Sequence, residues 1–117
     1  FLPVVDEALG PGLAELGPDV VIVSAGFEAQ EHDPIARHRV STEGYALLTD
    51  RLRSIADDSD AALAFVLEGG YGLDTLSEGV AMVHETFDGR EPIACEADPE
   101  TSTVEITDEL RDRLGIE

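Results

Sequence analysis

The sequence predicts an α/β fold, a partial three-layer α/β/α arrangement around a parallel sheet. Two apolar runs, Val20–Val23 and Ala61–Leu67, lie between segments whose apolar residues recur at helical spacing. Runs so short and so uniformly apolar read as strands buried on both faces, which is the habit of a parallel sheet. The order helix–strand–helix–strand–helix calls for helices covering such a sheet on either side. Each run also stops at small residues and then presents a polar group, Glu28 after Gly26-Phe27 and Tyr71 after Gly69-Gly70. Parallel α/β proteins carry their chemistry at this point, where buried strands end and loops begin.

Residues 3–16 read as one helix or two short ones, with Leu9, Leu13 and Leu16 at helical spacing. Gly10-Pro11-Gly12 interrupts them, since Pro11 is tolerated only in the first turn of a new helix, and Gly17-Pro18 stops the segment. After the first strand and a polar loop, Ser41 or Thr42 caps a helix with Glu43 in its first turn. Tyr45, Leu48, Leu52 and Ile55 form its apolar stripe. Asp57-Asp58-Ser59-Asp60 reads as a solvated turn before the second strand. A third helix starts near Leu73 and places Leu76, Val80, Val83 and Phe87 on one face. From Asp88 the composition shifts to acids with few apolar residues. A small helix is expected there, with Thr107 as N-cap and Gly115 as C-cap. Residues 1–90 therefore read as the domain portion and 91–117 as an acidic appendage. Two strands do not make a stable sheet by themselves, and the chain starts at Phe1 inside an apolar stretch. The expectation is a fragment, or a fold completed by a partner.

The charge balance narrows the function classes. Acidic residues number 26 and basic ones seven, all arginine, for a net charge of -19. Roughly 2–8 units suffice for solubility in a small domain. Such a surface repels nucleic acid and anionic membranes. It resembles the lysine-free, carboxylate-rich surfaces of proteins from salt-loving archaea, where screening removes self-repulsion. No apolar run approaches the ~20 residues of a membrane span. The single Cys95 has no partner for an internal disulfide and sits among acids that disfavour a reactive thiolate, which fits a reducing cytoplasm.

On physical grounds Glu28 has two readings. A carboxylate just beyond a buried strand, in a loop with Gln30, Glu31, His32 and Asp33, is a hard ligand for a divalent ion. It is equally one more acid in a solvated acidic loop. His32 reads as a surface residue and Asp33-Pro34 as a turn. Tyr71 also reads two ways. A phenol stays protonated at neutral pH and can donate a hydrogen bond to a developing oxyanion, or the ring can simply cap the sheet edge.

Taken in order, these residues resemble the histone deacetylase family, including bacterial and archaeal relatives that act on acetylated amines and acetoin-related substrates. The matching blocks are Pro18-Asp19-Val20-Val21-Ile22-Val23-Ser24-Ala25-Gly26-Phe27, Asp33-Pro34-Ile35, Ser41-Thr42-Glu43-Gly44-Tyr45 and Val66-Leu67-Glu68-Gly69-Gly70-Tyr71. The likeness covers roughly residues 1–88 and implies the C-terminal third of the family's catalytic domain. It implies an arginase/deacetylase-like fold, a zinc cofactor and removal of acetyl groups from acetyl-lysine or small acetylated amines. Glu28 stands at the position of a zinc-binding aspartate, and Tyr71 at that of the tyrosine that polarises the acetyl carbonyl. Gly69 and Gly70 match glycines of the acyl channel, and Pro34 and Ile35 match its rim.

Three departures accompany the resemblance. Glu28 replaces aspartate, and its extra methylene extends the carboxylate by about 1.5 Å unless the loop retracts. Gln30 stands where many relatives have histidine. The family's Asp-x-His pair and paired histidines have no counterpart, since His32, His38 and His84 are isolated from one another. The implied partner is the missing N-terminal part of the domain. The alternative is a non-catalytic remnant or binding subunit of the same family.

Overall fold

The computed structural model describes residues 1–94 and 99–116. The expectations for Cys95 lie outside the described residues. The elements, in chain order, are α1 (Leu2–Val4), a π-helical turn (Val5–Leu9), α2 (Gly10–Leu16), β1 (Val20–Gly26), α3 (Thr42–Asp58), β2 (Ala62–Gly69), α4 (Leu73–Phe87) and α5 (Thr101–Leu114).

The N-terminal segment follows one helical path, so Gly10-Pro11-Gly12 does not break it. The path widens instead: the Gly10 N–H donates to the Val5 carbonyl across a π-helical turn. That widening lies directly before Pro11, which has no N–H and whose ring would meet a carbonyl one turn back. Gly17, left-handed at φ 60°, ends the helix as expected.

β1 and β2 pair in parallel, Val20 opposite Ala62 through Ala25 opposite Leu67. The register then slips by one, so that Gly26 faces Gly69 and Glu68 is the extra residue. Both strands thus finish level on paired glycines. The expected burial on both faces is not found, because α3 and α4 cover one face only. Val21, Val23, Leu63 and Phe65 on that face are half-buried. On the other, Ile22 is 66% exposed and Val20 and Val66 are also exposed. Among the described residues, the helical layer lies on a single side.

α3 packs on α4 and β2, while the N-terminal helices lie against α3. Ser41 caps α3 by accepting from the Gly44 N–H at 3.0 Å. The helix runs on through Asp57 and Asp58, so the turn before β2 is shorter than expected and closes on Asp60 at φ 53°. The core is built on Phe27, Tyr45 and Val83, with Ala25, Ala29, Val40, Phe65 and Leu76 packed against them. An open apolar groove of about 310 Å³ runs between β2 and α4, lined by Leu63, Phe65, Leu67, Val80 and Phe87 among others.

α5 contradicts the expected cap. Thr107 is fully buried in mid-helix, and its hydroxyl donates to the Thr103 carbonyl at 2.7 Å. The helix begins after Glu100 and ends, as expected, on left-handed Gly115. A threonine that satisfies its hydroxyl one turn back does not need to start a helix. α5 lies against α1 and the π-helical turn.

Candidate functional site

The site forms where β1 and β2 end. Phe27 continues the ladder by donating its N–H to the Gly69 carbonyl at 2.8 Å. Its buried ring stacks on Tyr45, with centroids 5.1 Å apart. This anchor fixes the direction in which the next residue, Glu28, leaves the strand. The Tyr45 hydroxyl donates to the Gly26 carbonyl at 3.1 Å, holding the end of β1 onto α3. Burial, followed by the charges of Glu28 and Asp33, pushes the Tyr45 phenol up to about 12.

Glu28 does not extend away from the strands. Its carboxylate folds back over the two terminal glycines. A methyl group built on Gly26 would stand 2.7 Å from Oε2, and one on Gly69 would stand closer still. Only glycine at both positions leaves this space, and the one-residue register slip brings the two glycines together. Glu28 Oε2 is buried and, among the described residues, has no hydrogen-bond partner. A buried carboxylate oxygen without a donor is costly, and a bound cation would relieve it.

Residues 30–40 form a loop closed at its neck. The Glu31 N–H donates to the Val40 carbonyl, and the Val40 N–H donates to the Ala29 carbonyl, each at 3.0 Å. Gln30 is buried and its side-chain oxygen accepts from the His32 N–H. Asp33, expected only as a turn residue, is buried and reaches across to the second strand end. Its Oδ1 accepts from the Ile35 N–H at 2.9 Å. Its Oδ2 accepts from the Tyr71 N–H at 2.8 Å and the Gly72 N–H at 3.3 Å. These backbone donors outweigh the cost of burial and hold its carboxyl below the usual range.

The residues singled out from the sequence therefore sit on one edge. Pro34 lies against Gly72, Ile35 is exposed, and Tyr71 follows Gly70, whose φ is 137°. Glu28 lies over Gly69, two residues before Tyr71. Asp33 and Tyr45 were missed as site residues. Asp33 resembled a turn signal and Tyr45 one member of an apolar stripe.

The histidines do not join this edge as a ligand set. His32 is exposed beside Glu31, the His38 ring lies tilted beside Phe1, and His84 lines the α4 groove. Among the described residues, no three of His, Cys, Asp and Glu converge on a metal position. Glu28 fits a divalent ion as one ligand, with its donor type and its orphaned oxygen both suitable. A complete zinc shell requires further donors.

A parallel sheet ending in a glycine-floored carboxylate and an exposed tyrosine defines an α/β protein with polar side chains gathered at its strand ends. The histone deacetylase domain family matches residues 1–87, and the chain belongs to that family. It is 34% identical over 106 residues to histone deacetylase HDA1 of Candida albicans, an alignment spanning 90% of this chain and 12% of that protein. It is 33% identical over 111 residues to histone deacetylase 10, chloroplastic, of Oryza sativa, spanning 93% and 25%. Polyamine deacetylase HDAC10 of Homo sapiens is 40% identical over 75 residues, spanning 64% and 11%. The solved structure of the histone deacetylase Clr3 superposes with a TM-score of 0.83 at 27% identity, covering 97% of this chain and 19% of that one. The chain thus spans a quarter or less of these relatives.

Proposed function

We propose that this chain is the C-terminal portion of a zinc-dependent, deacetylase-family amidohydrolase from a salt-loving archaeon. Its substrate is an acetylated lysine or a small acetylated amine. Residues 1–90 contribute to the catalytic domain, and residues 91–117 are its acidic C-terminal extension. It works in the cytoplasm without direct contact with nucleic acid or membrane. The observation that carries this reading is the buried, unpartnered oxygen of Glu28 on the same strand-end edge as Tyr71.

From its glycine cradle Glu28 would hold the metal as one of its ligands. Bound there, zinc would supply Lewis-acid polarisation of the amide oxygen and an acidified water. Tyr71 donates its hydroxyl proton in a hydrogen bond to the same carbonyl oxygen as negative charge develops on it. The backbone of Gly69 and Gly70 lines the acyl channel, and Pro34 and Ile35 form its rim. The general base and the remaining ligands come from the rest of the catalytic domain. The products are acetate and a free amine.

A second reading, a non-catalytic remnant or binding subunit, draws on the replacement of the expected aspartate by Glu28. Reconstitution with the remainder of the domain separates the two. The assembled enzyme should hydrolyse acetyl-lysine with zinc, and Tyr71→Phe should lower turnover by about a hundredfold, the usual cost of one oxyanion donor. An assembled protein that binds zinc but never turns over favours the binding subunit. Full turnover in Tyr71→Phe removes the role given to Tyr71.

A further inference from the structure

Tyr71 has few means of holding its own position. The residue is 59% exposed. It is flanked by Gly70, at φ 137°, and by Gly72, so the backbone on either side has wide conformational freedom. Its amide N–H is nevertheless fixed at 2.8 Å from Asp33 Oδ2, across a gap of 38 residues in sequence. The Gly72 N–H meets the same oxygen. Asp33 is only 7% exposed, and no arginine pairs with it among the described residues.

We propose that Asp33 is a positioning residue, whose second carboxylate oxygen holds the Tyr71 backbone and so fixes the phenol relative to the Pro34–Ile35 rim. The inference rests on the reading of Tyr71 as the carbonyl donor. The two oxygens of Asp33 divide the work. Oδ1 accepts from the Ile35 N–H and closes a local turn, which asparagine would close equally well. Oδ2 accepts two N–H groups from the other loop, and an ionised oxygen makes such bonds about twice as strong as a neutral one. An asparagine that kept its oxygen in the turn would aim an NH2 group at two N–H donors. A turn alone therefore does not require a carboxylate here, whereas the contact with Tyr71 does. One side chain thereby sets both the rim, through Ile35, and the donor, through Tyr71.

Asp33→Asn in the full chain separates these roles, read by residue-resolved amide hydrogen exchange in molar KCl. Exchange at Tyr71 and Gly72 should rise by about tenfold or more. The Ile35 amide and the β1–β2 ladder should keep their parent rates. Asp33→Ala should release Ile35 as well. Parent-like exchange at Tyr71 and Gly72 in Asp33→Asn would overturn the proposal, as would an equal rise across the whole chain. Unprotected Tyr71 and Gly72 amides in the parent chain would do the same. In the reconstituted enzyme, Asp33→Asn should lower kcat with little change in KM. If Tyr71→Phe keeps full turnover while the exchange result holds, the catalytic reading of Tyr71 fails and the Asp33 contact stands.

Discussion

At the scale of single residues, the strand-end edge is governed by what each polar group lacks or holds. Among the described residues Glu28 Oε2 lacks a donor, Tyr71 is held by its backbone, and Tyr45 keeps its proton through burial and nearby charge. Tyr45 gives a test that needs no substrate. Its phenol is raised from 10.0 to about 12, first by burial and then by Glu28 and Asp33. The folded chain therefore keeps a proton that the unfolded chain loses near pH 10. Stability from this group is intact below pH 10 and is lost as pH rises toward 12. Thermal melts should show a midpoint falling across that window, and Tyr45→Phe should flatten this part of the fall. Tyr45→Phe also leaves the Gly26 carbonyl without its 3.1 Å donor, at a cost of about 1 kcal/mol at neutral pH. A pH profile identical to the parent's would show that Tyr45 does not titrate as described.

At the scale of elements, the decisive feature is the one-residue slip that sets Gly69 opposite Gly26. Gly69→Ala should press a methyl group into the Glu28 carboxylate and push it off the strand ends. Metal affinity of the assembled protein should then fall, while the Val20–Ala25 ladder keeps its protection from exchange. Unchanged affinity would mean that Glu28 does not need its cradle. Much of this layout was legible in the sequence. The β-branched run Val20–Val23, the Ser41 cap, the stripe on α4 and the Gly115 stop each act locally, and each of these features appears where its residues put it. What was not legible depended on distant partners. The slip at Glu68 follows from pairing, and the reach of Asp33 to Tyr71 spans two loops. The burial of Thr107 follows from the docking of α5, although threonine is common at helix starts. The wide turn before Pro11 shows a local breaker accommodated rather than obeyed. Glu28 and Tyr71 stand out in the sequence because both follow abrupt strand ends. Asp33 was passed over because Asp-Pro is an ordinary turn signal.

At the scale of the whole molecule, two properties stand out: a net charge of -19 and a sheet face left open. The first predicts that thermal stability climbs as KCl is raised, because added salt screens the repulsion among carboxylates. The second predicts that Ile22, at 66% exposed, contributes little to the chain by itself. If the remainder of the domain covers this face, Ile22→Ser should weaken assembly by about 2 kcal/mol while leaving the melt of the chain alone almost unchanged. Both measurements bear on how the unit is completed. The central claim concerns Glu28, and zinc titration of the reconstituted protein by calorimetry tests it most directly. One zinc should bind per assembled protein, Glu28→Ala should weaken it by at least about tenfold, and Glu28→Asp should hold it at least as tightly as the parent. Parent-like zinc affinity in Glu28→Ala would contradict the account.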